Sequence, residues 1–246
     1  MFINQTFGIH SYCFRNFSNE EFARAALELG VDNVSISNVH GRFQEPDGFD
    51  DVIAIYRNAG LPISNIGVVQ LTGDEQADRN PFEFARRAGT KILAVNFKPD
   101  TFDKASKLAQ ELAEEYDVRC GIHNHGGYHW LGNSEILEHI FKNSGPRLGL
   151  FLDTAWALAA RQNPVEMARK FGDRLYGIHL KDFVFDRSGK PEDVIVGTGG
   201  LDLPAFVRTV AEAGFDGSCT LEYEAEADNP LPALKQCAEA IRGIAL

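Results

Sequence analysis

Four apolar runs late in the chain end on residue types that hold metals or move protons: His123 and His125 in CGIHNHG, Asp153 in LGLFLDTAW, His179 in LYGIHLKD and Glu222 in CTLEYE. Imidazole and carboxylate donors in one set suit a single divalent ion such as Mn2+, Co2+, Zn2+ or Mg2+. An ion held this way keeps open positions where two oxygens of a substrate can bind, and it acidifies a C–H bond next to a carbonyl. Loss of that proton gives a metal-stabilised enediolate. The enediolate collapses by reprotonation, as in an isomerase or epimerase, or by expulsion of a β-oxygen, as in a dehydratase or lyase. No cysteine joins the set, which disfavours a closed structural zinc site. One histidine on an apolar strand is usually a satisfied core residue, and one buried carboxylate is usually half of an ion pair. The recurrence of the pattern at four separate run ends sets this group apart.

These residues converge only if strands carry them. Alternate side chains of a strand share a face, so His123 and His125 point together. The same parity sends Asp153, His179 with Lys181, and Glu222 with Glu224 toward one centre at a common rim. Either His123 or His125 completes the metal set, and the other is then free to act as acid or base. Lys98, in VNFKPD, and Lys181 are further catalytic candidates. A desolvated lysine near a cation either loses its proton readily or stays charged against an enolate oxygen. For substrate binding, His10 and Gln70 share the inward parity and can hydrogen-bond hydroxyls, and Glu224 faces the same way. Trp130 and Trp156, the only tryptophans, offer flat faces to the C–H side of a sugar ring.

Eight strand-type runs supply the required scaffold: 7–13, 31–37, 62–71, 90–97, 118–125, 148–153, 174–180 and 218–223. Between them lie segments of helical period, several opened by Ser, Asn, Asp or Pro: 19–29, 51–59, 75–88, 102–115, 134–142, 164–171, 203–213 and 230–244. An eightfold βα alternation predicts an α/β protein with a single (β/α)8 TIM barrel over residues 1–246. The rival is a doubly wound open sheet, which commonly has fewer units. No linker or low-complexity tract divides the chain. The glycine-rich VGTGGLD at 196–202 lacks the spacing of a phosphate loop, so it is read as a connection into the helix near Leu203, capped by Asp202.

Composition narrows the partners. A formal net charge of −11 argues against holding a phosphate backbone, so no nucleic-acid partner is expected. No window approaches the apolar length of a membrane span, and the N-terminus does not read as an export signal. Cys13, Cys120, Cys219 and Cys237 are widely spaced in apolar segments, which fits reduced, buried thiols in a cytoplasmic protein. A homo-oligomer is compatible with the sequence.

The succession DTAW, GIHLKD, VGTGGLD and TLEYE resembles the xylose isomerase-like TIM barrel family, which includes sugar isomerases and epimerases, inosose dehydratases and type 4 apurinic endonucleases. The resemblance spans the chain, but its motifs are diagnostic only from the fifth strand onward. It implies a small sugar or keto-sugar substrate, with Asp153, His179 and Glu222 as metal ligands from strands six, seven and eight. It also implies a glutamate on strand five, where this chain has His123. Many epimerases of the family pass a proton between two glutamates, so this departure shifts some weight toward a dehydratase or lyase, while the frequency of isomerases and epimerases in the family keeps that reading ahead. Trp156 stands where the nuclease relatives carry a histidine, which disfavours a DNA-repair enzyme. A reading from another class is a non-catalytic barrel that binds a sugar and keeps the ligands by descent.

Overall fold

The apolar runs become the staves of a closed barrel. The structure is a computed structural model, and it describes residues 6–245. Eight parallel strands pair in chain order until the last meets the first: β1 (Gly8–His10), β2 (Val34–Ile36), β3 (Ile63–Leu71), β4 (Ile92–Phe97), β5 (Arg119–His123), β6 (Leu148–Asp153), β7 (Leu175–Leu180) and β10 (Ser218–Leu221). Closure rules out the open doubly wound sheet.

Strand alternation divides the side chains into two sets. Outward residues such as Ile9, Val95, Ile122, Leu152, Ile178 and Leu221 join the main core beneath the helices. Inside the barrel, Ile92, Ala94, Phe151 and Tyr176 form a small apolar plug with Val68 against it. A second inner set is polar, with Ser35 Oγ donating to Asn65 Oδ1 at 2.6 Å and Asn65 Nδ2 donating to Ser218 Oγ at 2.8 Å. The interior is therefore a packed core rather than a pore, as expected of a barrel this small.

The helices start where their caps dictate. Helix α1 (Asn19–Leu29) opens on a capping box between Ser18 and Glu21 and stops at left-handed Gly30. A short α2 (Asn38–Gly41) follows β2, and α3 (Phe49–Asn58) precedes β3. Asp74 caps α4 (Glu75–Ala88), α5 (Phe102–Glu115) precedes β5, and Asn133 caps α6 (Ser134–Lys142). After β6 come α7 (Thr154–Ala159), capped by Asp153, and α8 (Pro164–Lys170), capped by Asn163. Asp202 caps α9 (Leu203–Glu212) as expected, and α10 (Leu231–Arg242) ends the chain's regular structure.

Three features depart from the sequence expectation. The first strand run ends at His10, because Ser11–Phe14 tightens into a 3-10 turn. In β3 the register against β4 slips between Ile66 and Val69, at Gly67, where φ is 145° and a Cβ would lie 2.4 Å from the Ala94 carbonyl oxygen. After β7 the chain builds an antiparallel hairpin, β8 (Asp182–Phe185) with β9 (Pro191–Val194), outside the barrel. Its strands alternate too weakly to stand out beside the apolar run that precedes them. All four cysteines are free and buried, and no helix among the described residues is long and apolar enough to cross a membrane.

Candidate metal centre and its cavity

Parallel strands that end at one rim bring distant residues together, and here they gather His123, Asp153, His179 and Glu222. One ligand-type atom from each of the four lies within 4.8 Å of all the others, and all four residues are buried. His123 and Asp153 are the last residues of β5 and β6, Asp153 sits opposite His179 in the β6–β7 register, and Glu222 follows β10 directly. His123 Nε2 is 3.1 Å from His179 Nδ1 and 3.6 Å from Asp153 Oδ2. His179 Nδ1 lies 3.9 Å from Asp153 Oδ2 and 3.2 Å from Glu222 Oε2.

Neighbouring groups fix the four in place. The Asp153 N–H donates to Asn124 Oδ1 at 2.8 Å while Asn124 Nδ2 donates to the Asp153 carbonyl at 3.0 Å, a two-way clamp between β5 and β6. Asn124 was not singled out from sequence, because its parity points away from the centre. A polar side chain on the buried outward face of a strand was the available signal. Asp153 Oδ1 accepts the Trp156 N–H at 2.7 Å, and Oδ2 is buried without a partner. His10 spans two oxygens, with Nδ1 2.7 Å from Glu222 Oε1 and Nε2 3.1 Å from the Gly67 carbonyl. It orients Glu222 in the way an outer-shell histidine orients a ligating carboxylate.

This donor set fits a divalent ion. Two imidazole nitrogens and two carboxylates converge in a dry space, Asp153 Oδ2 finds no hydrogen there, and a cation is the species that relieves such crowding of lone pairs. The titration behaviour agrees. Burial pushes Asp153 well above the usual carboxylate range, partly opposed by Lys181. Burial also pushes Glu222 up, but His179, Lys181 and His10 outweigh it and hold Glu222 well below that range. Burial lowers His123 and His179, so both rings are neutral and ready to ligate near pH 7.

Beside the four lies a cavity of about 310 Å³, lined among others by His10, Tyr12, Val39, His125, Trp156 and Glu224. His125 Nδ1 is buried without a partner, and burial followed by the nearby His129 brings this ring down to about 4. The structure thus places His123 in the cluster and His125 in the cavity wall. Lys181 is only 1% exposed and does not line the cavity. Its Nζ pairs with Glu224 Oε1, stands 3.8 Å from both Glu222 Oε2 and Asp193 Oδ2, and lies 5.7 Å from the centre of the Trp156 ring. Burial would discharge this lysine, but Glu222, Asp153, Glu224 and Asp193 overcome it and raise its pKa, so it stays a cation. Asp193, on β9, was not foreseen, since its strand belongs to the unexpected hairpin. Burial, against the pull of Lys181, raises it to about 6.

Three candidates lie elsewhere. Lys98 is exposed and outside the cavity lining. Gln70 is exposed, and its amide donates to the carbonyls of Leu71 at 3.2 Å and Asn96 at 3.1 Å, so it serves the β3–β4 rim. Trp130 donates Nε1–H to the Phe97 carbonyl at 3.1 Å and packs edge-on against Phe102.

The glycine-rich loop is explained by a residue that sequence reasoning passed over. Asp182 is fully buried, and its carboxylate accepts the N–H groups of Gly197 (3.0 Å), Gly199 (2.8 Å) and Leu201 (2.9 Å). A Cβ on Gly199 would sit 2.6 Å from Asp182 Oδ1. The loop's donors are therefore occupied by an internal carboxylate rather than presented to a phosphate. The Asp in HLKD, followed by a glycine-rich run, was the signal for this pairing.

The sequence matches the xylose isomerase-like TIM barrel family over residues 23–244. It is 28% identical over 129 residues to the 3-oxo-isoapionate decarboxylase of Pectobacterium atrosepticum, covering 49% of this chain and 46% of that protein. It is 25% identical over 142 residues to an inosose dehydratase of Clostridium botulinum, covering 51% and 47% respectively. The matched stretches thus span about half the length of these relatives. Among solved structures, the IolI protein with a bound zinc atom superposes with a TM-score of 0.75 at 16% identity, covering 95% of this chain and 96% of that one. At that identity the likeness is one of fold.

Proposed function

We propose, for a chain that belongs to the xylose isomerase-like TIM barrel family, that the cavity takes a small polyhydroxy carbonyl compound and moves a proton on the carbon next to the carbonyl, as an isomerase or epimerase. The observation that carries this reading is the meeting of His123, Asp153, His179 and Glu222 beside a cavity that His123 and Glu222 line and whose wall holds two further proton-active side chains, His125 and Glu224. In this reading the four clustered residues hold one divalent ion. When bound, the ion supplies Lewis acidity toward a carbonyl oxygen.

The chain's own groups do the rest. His125 is neutral near pH 7 and lines the cavity, so it can take a proton from a bound substrate and return it. Glu224 stands in the same wall as a second proton site, and Lys181, always charged, holds it in place. Trp156 presents its ring to the cavity and His10 orients Glu222. Lys98, Gln70 and Trp130 have no part in this reading.

A second outcome of the same proton abstraction is elimination. The electron pair left by the C–H bond forms a C=C bond, the β C–O bond breaks, and the departing hydroxyl leaves as water after taking a proton. The residue on strand five favours this outcome: His123 joins the metal set where the family resemblance implies a glutamate, which removes one of the two bases of a symmetrical epimerase. The decarboxylase and the dehydratase that the chain resembles are both lyases by name.

The test is solvent exchange. The metal-loaded protein is incubated in D2O with a panel of keto sugars and inososes and followed by NMR. Deuterium next to the carbonyl with an isomeric product supports the isomerase or epimerase, and loss of water supports the lyase. Tight binding without exchange across the panel would leave the non-catalytic sugar-binding barrel.

A further inference from the structure

We infer that the cavity selects an uncharged, monosaccharide-sized substrate and discriminates against phosphorylated or carboxylated ones, with Val39 marking the wall where an anion-binding cation is missing. The inference rests on the function proposed above and narrows it. With an ion in place, the carboxylates of Asp153, Glu222 and Glu224 balance the charge of that ion and Lys181 one for one. Asp193, 3.8 Å from Lys181, adds negative charge whenever it ionises. An anionic substituent would therefore enter a site with no positive charge to spare, and the buried carboxylates of Asp153 and Glu222 are screened less by salt than surface charges are.

The remaining walls provide no compensation. Beyond His10, which is taken up by Glu222 Oε1 at 2.7 Å and the Gly67 carbonyl at 3.1 Å, the side built from the first three strands and their loops presents no charged side chain: Tyr12, Ser37, Asn38, Val39 and Val68. Nearby cations are engaged elsewhere. Arg15 donates to the carbonyls of Glu224 at 2.8 Å and Tyr12 at 3.4 Å and stacks on the Tyr12 ring. Lys98 is exposed and outside the lining. The glycine-rich loop, whose N–H groups are the other natural anion cradle, is filled by Asp182. Size adds a limit, because about 310 Å³ lies at the low end of ligand pockets, which run from roughly 300 to 1,000 Å³. Decarboxylation needs a carboxylate on the substrate, so this inference separates the chain from its decarboxylase relative and, within the lyase outcome, leaves dehydration.

Val39 is the wall position best placed to change the preference. It is 48% exposed and lines the cavity, whereas Asn38 is tied to the Phe43 N–H at 3.0 Å and Ser37 to Ser11 at 2.9 Å.

The test is ligand binding to the Mn2+-loaded protein, read from paramagnetic broadening of ligand protons, with metal content measured and Asp153→Ala as the blank. The probes are D-fructose, an inosose, fructose 6-phosphate and 2-ketogluconate. Expected is binding of at least one neutral probe, with both anions weaker than it by about tenfold or more, and in Val39→Arg a gain of about tenfold for fructose 6-phosphate relative to the neutral probe, each factor corresponding to about 1.4 kcal/mol. Either anion binding as well as the best neutral probe overturns the charge selection and leaves the proposed function standing. No probe binding to protein that carries its ion overturns both. An unchanged preference in Val39→Arg, with the variant folded and loaded, overturns the assignment of Val39.

Discussion

The two halves of the barrel divide the work. Strands β5, β6, β7 and β10 deliver the clustered histidines and carboxylates, while the first three strands and their loops contribute mainly an uncharged wall. The donor half is rigidly held: Asn124 clamps β5 to β6, Thr154 Oγ1 donates to the Lys181 carbonyl at 2.6 Å, and Asp182 anchors the glycine loop. Register does not separate the halves, since β3 slips against β4 at Gly67 and β6 slips against β7 between Leu150 and Phe151. His10 is the bridge, since it lies on β1 and touches Glu222. Chemistry concentrated on one side and shape on the other means that substitutions in the two halves should fail in different ways.

The largest effect is expected in the donor half. Asp153→Ala should abolish ion binding and also remove the cap of α7, a loss worth about 1 kcal/mol. Asp153→Asn keeps a good cap but loses the charge, so it should retain most of the stability and still hold no ion. Elemental analysis beside thermal unfolding separates the two effects. If Asp153→Asn binds one ion per chain as the wild type is expected to, the four side chains are not the metal set.

Next in size is the glycine loop. Asp182→Ala would strand four buried or partly buried N–H groups, three of the loop and that of Phe183, at about 1–3 kcal/mol for each that finds no water. The unfolding midpoint should fall by several degrees while the metal content is unchanged. Loss of the ion with unchanged stability would show that the loop serves the centre directly.

Smaller, but diagnostic, is the coupling of ion binding to pH. Asp153 carries a raised pKa, so it is protonated over part of the range where an ordinary aspartate is not. An ion binds the deprotonated form, so affinity should rise with pH and binding should release a proton. Calorimetry in buffers of different ionisation enthalpy measures this release, which should shrink as the pH is raised through the Asp153 titration. His123 and His179, both lowered, are already neutral and contribute no proton near pH 7.

What could be read from the sequence follows the same division. The eight barrel strands and three of the four clustered residues were legible, with the fourth narrowed to His123 or His125, because buried parallel strands are apolar runs, and a polar residue at the end of such a run is conspicuous. The hairpin β8–β9 and the helices α2 and α7 were not. They are short, and their stability comes from contacts across the barrel rim rather than from local period. Asp182 and Asp193 were missed for that reason. Gln70 keeps the parity of cavity-lining Val68 but lies two residues further along β3, where its amide turns to the Leu71 and Asn96 carbonyls. Lys181 was expected either to give up its proton or to keep its charge. The choice depended on Glu222, Asp153, Glu224 and Asp193, carboxylates distant in sequence that only the fold brings to its ammonium.

The smallest effects should come from residues that parity or proximity nominated and the fold placed elsewhere. Gln70→Ala removes an amide whose hydrogen bonds end on the Leu71 and Asn96 carbonyls, at an exposed rim where water replaces it. Lys98→Ala removes an exposed cation outside the cavity lining. Both variants should bind the ion as the wild type does, and their exchange rates on any substrate found should stay within about twofold, a barrier change under about 0.5 kcal/mol. A tenfold loss in Lys98→Ala, measured by the same deuterium exchange, would mean that the βα loop after β4 closes over the cavity during turnover. That result would redraw the boundary between the two halves, because a cation from the wall side would then enter the chemistry.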